Sequence, residues 1–309
     1  MSRSSLLGRL YELELPPHVK AVGLTRHHGQ AAILLVTDTA EGVSAQAADL
    51  LPELQDVPVV ARAVPGRLRA AAYLPGAQAE ALTPEQEVLE PVVLGAQVQN
   101  GSADARLGGY GVGTLGAFAE DAEGRTVLLS NNHVIAAEND ARVGDEIFQA
   151  QRGRGRVVAT LSAWVPITLD RPNRVDIASA ALNEEAFENA FLPLRNRPVV
   201  QGTAAPRVGA RVFKVGRTSG LTVGRITAVE ARVPNVGYGV GAAAFEGSLI
   251  IEGQGGSTFS APGDSGSGIY DLRGRLVGFL YAGDGTITLA CPAREALAAL
   301  ELRPLGPPR

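Results

Sequence analysis

Gly263-Asp264-Ser265-Gly266-Ser267-Gly268 is the stretch on which the fold turns. Glycines on both sides of one serine allow a tight loop that exposes the hydroxyl and turns backbone N–H groups inward. The run lies between two strand-like segments, Ser248–Glu252 and Gly268–Asp271. Standing alone, it is equally a plain glycine-rich turn with a surface serine, so its meaning depends on what else the chain supplies.

Upstream, Leu128-Leu129-Ser130-Asn131-Asn132-His133-Val134-Ile135 reads as a strand ending in a polar turn that presents one histidine. The other three histidines, His18, His27 and His28, sit near the N-terminus, so His133 is the imidazole available to the glycine-rich region as a general base. Between the two motifs, Val175-Asp176-Ile177-Ala178-Ser179-Ala180 places an aspartate at the edge of an apolar strand. A carboxylate there is costly to bury unless it accepts hydrogen bonds, and orienting an imidazole supplies one. Asp170 is the nearest rival, but it precedes Arg171-Pro172 in a loop-like stretch. The order is therefore His, Asp, Ser, with gaps of 43 and 89 residues. No histidine follows Ser265, which excludes the Ser-Asp-His order of an α/β-hydrolase.

Composition narrows the class further. The 309 residues are 45% hydrophobic and 19% charged, enough for a sizeable core. A net charge of −4 argues against a nucleic-acid partner. Only Lys20 and Lys214 are lysines, and the single Cys291 rules out an intramolecular disulfide. No run of 18 apolar residues is present, so no membrane helix is expected. The N-terminal MSRSSLLGRLYELELPPH lacks the apolar core of a secretory signal, and the expected location is cytoplasmic. Without His-x-x-x-His or paired cysteines, no metal or other cofactor is expected.

Thirty-seven glycines and 19 prolines punctuate short Val-, Ile- and Leu-rich runs, the texture of a mainly β protein. Residues 1–70 read as a small α/β module. Strands Val19–Thr25 and Ala31–Thr37 are joined by the His27-His28-Gly29 turn, a helical spacing from Val43 to Leu54 is cut by Pro52, and a strand follows at Val57–Val64. Residues 71–108 read as a connector. From residue 109 to 309, ten strand-like runs, from Thr114–Phe118 to Thr286–Ala290, suffice for two small antiparallel barrels. Pro292–Leu302 is the convincing helix.

With these motifs in place, residues 109–309 resemble a chymotrypsin-fold (trypsin-like) serine protease. Ser130-Asn131-Asn132-His133-Val134-Ile135 is similar to the histidine motif of the high-temperature-requirement proteases. Lys214-Val215-Gly216-Arg217-Thr218-Ser219-Gly220-Leu221-Thr222-Val223-Gly224 resembles a segment of bacterial α-lytic-type proteases. The nearest overall likeness is to the bacterial group related to the plant Narrow Leaf proteins, which also carry a small N-terminal α/β module. The resemblance implies two six-stranded barrels, Ser265 as nucleophile, His133 as base, Asp176 as orienter, and an oxyanion hole from the N–H groups of Gly263 and Ser265. It implies a primary pocket floored by Phe259 and walled by Tyr281-Ala282-Gly283 and Thr288. None is acidic, so the expectation is cleavage after small or medium apolar residues. It further implies that Arg217 pairs with Asp264 in place of a freshly cut N-terminus. Pro262 before Gly263, and the lack of proline in Gly266-Ser267-Gly268, depart from relatives without removing a reacting group. The expected partner is a protein or peptide substrate, with no membrane; a homo-oligomer is left open. The alternative is a catalytically silent protease-fold binding or scaffold protein.

Overall fold

A computed structural model describes residues 3–38, 57–70, 84–107, 111–149, 155–183, 187–194 and 202–305. The chain is mainly β and builds the chymotrypsin-like pair of barrel-like sheets, with few helices.

The second barrel is a closed ring of six strands. They are β13 (Arg211–Gly216), β14 (Gly220–Tyr238), β15 (Gly241–Gly253), β16 (Gly268–Asp271), β17 (Leu276–Gly283) and β18 (Ile287–Pro292). Their order is β13-β16-β17-β18-β15-β14, and a β13–β14 pairing closes the circle and removes both edges. The first sheet contains eight strands rather than the six expected. Its order is β19 (Arg303–Pro304), β7 (Ala117–Glu120), β8 (Thr126–Ser130), β11 (Ala178–Leu182), β10 (Arg156–Trp164), β9 (Glu146–Gln149), β5 (Gln97–Asn100) and β6 (Gly113–Thr114). Strand β5 comes from the stretch read as a connector. That stretch also supplies β4 (Val92–Leu94), parallel to β12 (Phe187–Phe191), and the helix Gly101–Leu107. β4 and β5 are buried throughout, which their Val-Val-Leu and Gln-Val-Gln sequences barely advertise.

The N-terminal module continues the second barrel rather than standing apart. In β1 (Val19–His27) and β2 (Gln30–Thr37) the hairpin is antiparallel as expected, and β3 (Val59–Ala63) runs parallel to β2. The helix expected between β2 and β3 falls outside the described residues. Strand β1 pairs with β14, so one nine-stranded sheet spans module and barrel. A helix at Arg3–Glu12 was not anticipated; Leu6, Leu10 and Leu13 recur at helical spacing and are buried. They share a core with Val22, Leu24, Ile33, Val212, Ile226 and Leu249. The expected C-terminal helix spans Ala293–Ala299 and buries Ala293, Ala296 and Leu297 on one face.

Candidate active site

Strand register brings the first two candidates together. In the β8–β11 pairing Ala178 lies opposite Ser130. The antiparallel count therefore sets Asp176, two residues before Ala178, beside the turn that follows Ser130, where a one-turn helix (Asn132–Ile135) presents His133. The Asn131 side-chain amide donates to the Asp176 carbonyl at 2.6 Å and locks the two chain ends. His133 Nδ1 is bonded to Asp176 Oδ2, and the His133 backbone N–H reaches Oδ1 at 3.3 Å. A carboxylate only accepts, so Nδ1 is the donor in this bond and Nε2 is the nitrogen turned away from it. Nε2 is buried and has no hydrogen-bond partner among the described residues.

A third group on the carboxylate was not foreseen: Tyr238, at the end of β14, donates its hydroxyl to Asp176 Oδ2 at 2.9 Å. Burial first, and the neighbouring Asp176 second, push this phenol well above its ordinary range, so it remains a donor. Glu138 holds the turn after Tyr238 by accepting from the N–H groups of Gly239 and Val240, at 2.9 and 2.8 Å. The sequence signal was thin, a lone tyrosine inside a glycine run.

Ser265 is brought to the histidine by a seam between the barrels. Thr114 donates its N–H to the Ser265 carbonyl at 2.8 Å, and the preceding residue is Gly113. A Cβ on Gly113 would lie 2.5 Å from Val134 and 2.7 Å from the Ser265 carbonyl oxygen. Only glycine allows the histidine helix and the serine loop to close on that point. Ser265 Oγ and His133 Nε2 share no hydrogen bond; in hydrolases of this kind such bonds are commonly long before substrate binds and tighten when it does.

The serine loop is held by side chains from β6 and from the β13–β14 turn. Thr114 Oγ1 donates to the Gly263 carbonyl at 3.0 Å and Thr218 Oγ1 to the Pro262 carbonyl at 2.8 Å. With those carbonyls engaged, the N–H groups of Gly263 and Ser265 donate to nothing among the described residues. Asp264 is fully buried and surrounded by donors. Oδ1 takes the N–H groups of Thr218 and Ser219, at 2.9 and 3.1 Å. Oδ2 takes Ala261 N–H at 3.0 Å and the Ser219 hydroxyl at 2.5 Å. A Cβ at Gly216 would sit 2.4 Å from the carboxylate, so the turn approaches this closely only through glycine.

Here the structure corrects one expectation. The ion pair on Asp264 belongs to Lys214, whose Nζ lies 3.0 Å from Oδ2 with both side chains fully buried. Lys214 also donates to Ser219 Oγ and to the Gly220 carbonyl. Arg217, expected in that role, adds attraction to Asp264 but places Nη1 3.3 Å from Thr218 Oγ1 and its backbone N–H on Thr114. The reason is one of place: Lys214 projects from β13 with its side chain fully buried beside the carboxylate, whereas Arg217 follows the end of β13 and packs its guanidinium against Gly263. Burial opposes ionisation of Asp264, yet Lys214, Ser219 and Ala261 outweigh it and hold the carboxyl below the usual range.

A cleft of about 1260 Å³ runs past Ser265. Its walls include Ser260, Ala261, Pro262, Leu280, Ala282 and Gly283. Of the expected pocket residues, Ala282 and Gly283 line it. Phe259, Tyr281 and Thr288 lie behind the wall. Phe259 belongs to the apolar core at 2% exposure, packed where a Gly224 side chain would be. Tyr281 is bonded to Ser248 and Thr288 to Ser260. Among the described residues no group of three or more His, Cys, Asp or Glu side chains gathers to hold a metal. Burial pushes the Cys291 thiol up to about 12, so it stays protonated. No described helix is long and apolar enough to cross a membrane.

Residues 113–279, more than half of the chain, match the family model for the trypsin-like peptidase domain. The chain belongs to that family. The matched span holds His133, Asp176 and Ser265, and leaves the N-terminal module outside. Among solved structures, similarity extends to a Nocardiopsis protease (18% identity, 69% of this chain and 97% of that chain, TM-score 0.49). It extends also to the Cellulomonas bogoriensis chymotrypsin (20%, 70% and 99%, 0.48) and Thermobifida fusca protease A (16%, 70% and 99%, 0.46). Against curated protein sequences the chain has no match.

Proposed function

We propose that this trypsin-like peptidase is a serine endopeptidase working through His133, Asp176 and Ser265. One observation carries the reading: His133 is oriented by Asp176 with its Nε2 unbonded, at the seam where the Ser265 loop presents two unspent N–H groups. Ser265 Oγ attacks the scissile carbonyl carbon as its proton passes to Nε2. The carbonyl oxygen, now negative, is taken by the N–H groups of Gly263 and Ser265, each worth about 2.7–4 kcal/mol of barrier. His133 returns the proton to the departing amine as the C–N bond breaks, and a water activated at Nε2 then releases the acyl group from Ser265. Asp176 and Tyr238 hold the ring while it is positively charged.

Small side chains around the cleft, Ser260, Ala261, Ala282 and Gly283, support cleavage after small or medium apolar residues. Kinship with the bacterial group related to the Narrow Leaf proteins is supported by the strand module ahead of the barrels. The test is Ser265→Ala. A fluorophosphonate probe should label the wild-type chain and casein should be cleaved, while folded Ser265→Ala does neither. Labelling that survives the substitution places the nucleophile elsewhere; a folded wild-type chain that neither labels nor cleaves supports a silent binding protein.

A further inference from the structure

An enzyme that grips an extended peptide by its backbone needs a free strand edge beside the nucleophile. Strand β17 has such an edge. Its neighbour β16 begins only at Gly268, paired with Phe279. Leu280 is bonded to Gly266 and Ser267 on the nucleophile loop, so beyond it, toward Gly283, β17 has no partner in the barrel on that side. That edge is already filled by the chain itself. Arg69 donates to the Gly283 carbonyl and accepts from the Gly283 N–H, both at 3.2 Å, an antiparallel bridge. On the other side of the same segment, Ala70 N–H donates to the Gly237 carbonyl and Gly237 N–H to the Leu68 carbonyl, both at 3.0 Å. Leu68, Arg69 and Ala70 thus form one short strand inserted between β17 and β14. They line the same cleft as Ser265. Gly237 adjoins Tyr238, the residue bonded to Asp176.

The segment is anchored from behind. Lys20 donates to the carbonyls of Val64 and Gly66, the latter at 2.6 Å, and pairs with Asp38 at 2.7 Å. Gly66 lies against Asp284, where any Cβ would be 2.9 Å from that side chain, and Leu68 is buried.

We propose that Leu68–Ala70 is the resident occupant of the slot between Gly283 and Gly237, an intramolecular strap that a polypeptide substrate must displace. This rests on the serine endopeptidase reading. Main-chain bonds carry the strap, so the substrate it excludes is recognised there by its backbone. A small acylating probe needs only Ser265 and the oxyanion donors; a polypeptide needs the edge as well.

The experiment compares wild type with Arg69→Pro/Ala70→Pro, which removes both donors of the strap, and with Arg69→Ala, which keeps them. Casein hydrolysis by the double variant should rise about tenfold or more in kcat/KM, the factor expected if under a tenth of the resting enzyme has an open slot. Fluorophosphonate labelling rates should stay within about twofold of one another, and Arg69→Ala should resemble wild type on casein. Equal casein rates in folded, equally labelled proteins overturn the strap. Absence of labelling throughout overturns the endopeptidase reading instead. Should the double variant fail to fold, hydrogen exchange on Ser265→Ala decides. The Arg69 and Ala70 amides should be protected at rest and lose protection on saturation with reduced casein, whereas protection that casein leaves unchanged refutes displacement.

Discussion

Replacing Lys214 by methionine tests how the nucleophile loop is kept in shape. The substitution retains the apolar stem and volume but removes the cation 3.0 Å from the Asp264 carboxylate, in a place where neither side chain meets solvent. Breaking a buried ion pair by removing one partner costs about 3–5 kcal/mol, because the remaining charge is stranded. Asp264 would keep the N–H groups of Thr218, Ser219 and Ala261 and the Ser219 hydroxyl, which argues for the lower end. At roughly 2–4 °C per kcal/mol for a domain of this size, the expected fall in Tm is about 6–12 °C by scanning calorimetry. Probe labelling of Ser265 should slow with it, since the same loop presents the hydroxyl and the Gly263 donor. Arg217→Ala should cost less than Lys214→Met, and Lys214→Met/Asp264→Asn should recover most of the loss. The pH dependence carries a sign. In the wild type the carboxyl is held below its unfolded value, so the pair's contribution is complete above about pH 4 and drains as pH falls through the folded value. Without Lys214 the largest attraction opposing burial is gone while the hydrogen bonds from Ser219 and Ala261 remain, so the folded value rises from its wild-type position and the Tm deficit should narrow as the solution is acidified. A deficit under about 2 °C at neutral pH, or a larger loss in Arg217→Ala, would refute the assignment of Lys214 as the counter-ion.

Tyr238→Phe removes one donor from the Asp176 carboxylate. A hydrogen bond to a charged group is worth about 1.5–3 kcal/mol, so kcat should fall about tenfold to a hundredfold with the imidazole less firmly held. A variant with unchanged kcat on casein would show that Asn131 and the His133 backbone suffice. Thr218→Val releases the Pro262 carbonyl, and with it the orientation of the Gly263 N–H. The expected signature is a kcat drop of about tenfold or more at nearly constant KM, since the donor acts only on the developing oxyanion. A pure KM effect would move Thr218 from the oxyanion loop to substrate binding.

What could be read in the chain beforehand follows the kind of interaction involved. The three residues of the proposed triad were legible as candidates because chemistry restricts them: one imidazole in the glycine-rich region, one carboxylate at the edge of an apolar strand, one serine in a glycine-rich loop. Register could not be read, yet it is the Ala178–Ser130 pairing that makes Asp176 and His133 neighbours. The counter-ion differs from the expected one for a related reason. Lys214 and Arg217 both occur in the quoted motif, and choosing between them requires knowing that β13 ends at Gly216, so that Lys214 projects from the strand beneath the loop while Arg217 begins the turn and packs against Gly263. Phe259 was read as a pocket floor because an aromatic six residues before the nucleophile suits either a wall or the core; the packing against Gly224 that decides it is a long-range contact. The β4 and β5 segments were missed because glutamine, asparagine and short valine pairs carry little periodic signal. Least visible of all was the strand Leu68–Ala70. Its four hydrogen bonds to Gly283 and Gly237 are made by backbone N–H and C=O groups, which every non-proline residue possesses, and the one buried side chain, Leu68, reads like any other core leucine. An added strand in the cleft beside Ser265 is therefore a feature that only the folded structure reveals, and by the same logic most substitutions at residue 69 should leave it in place, whereas proline, which deletes the donor, should not.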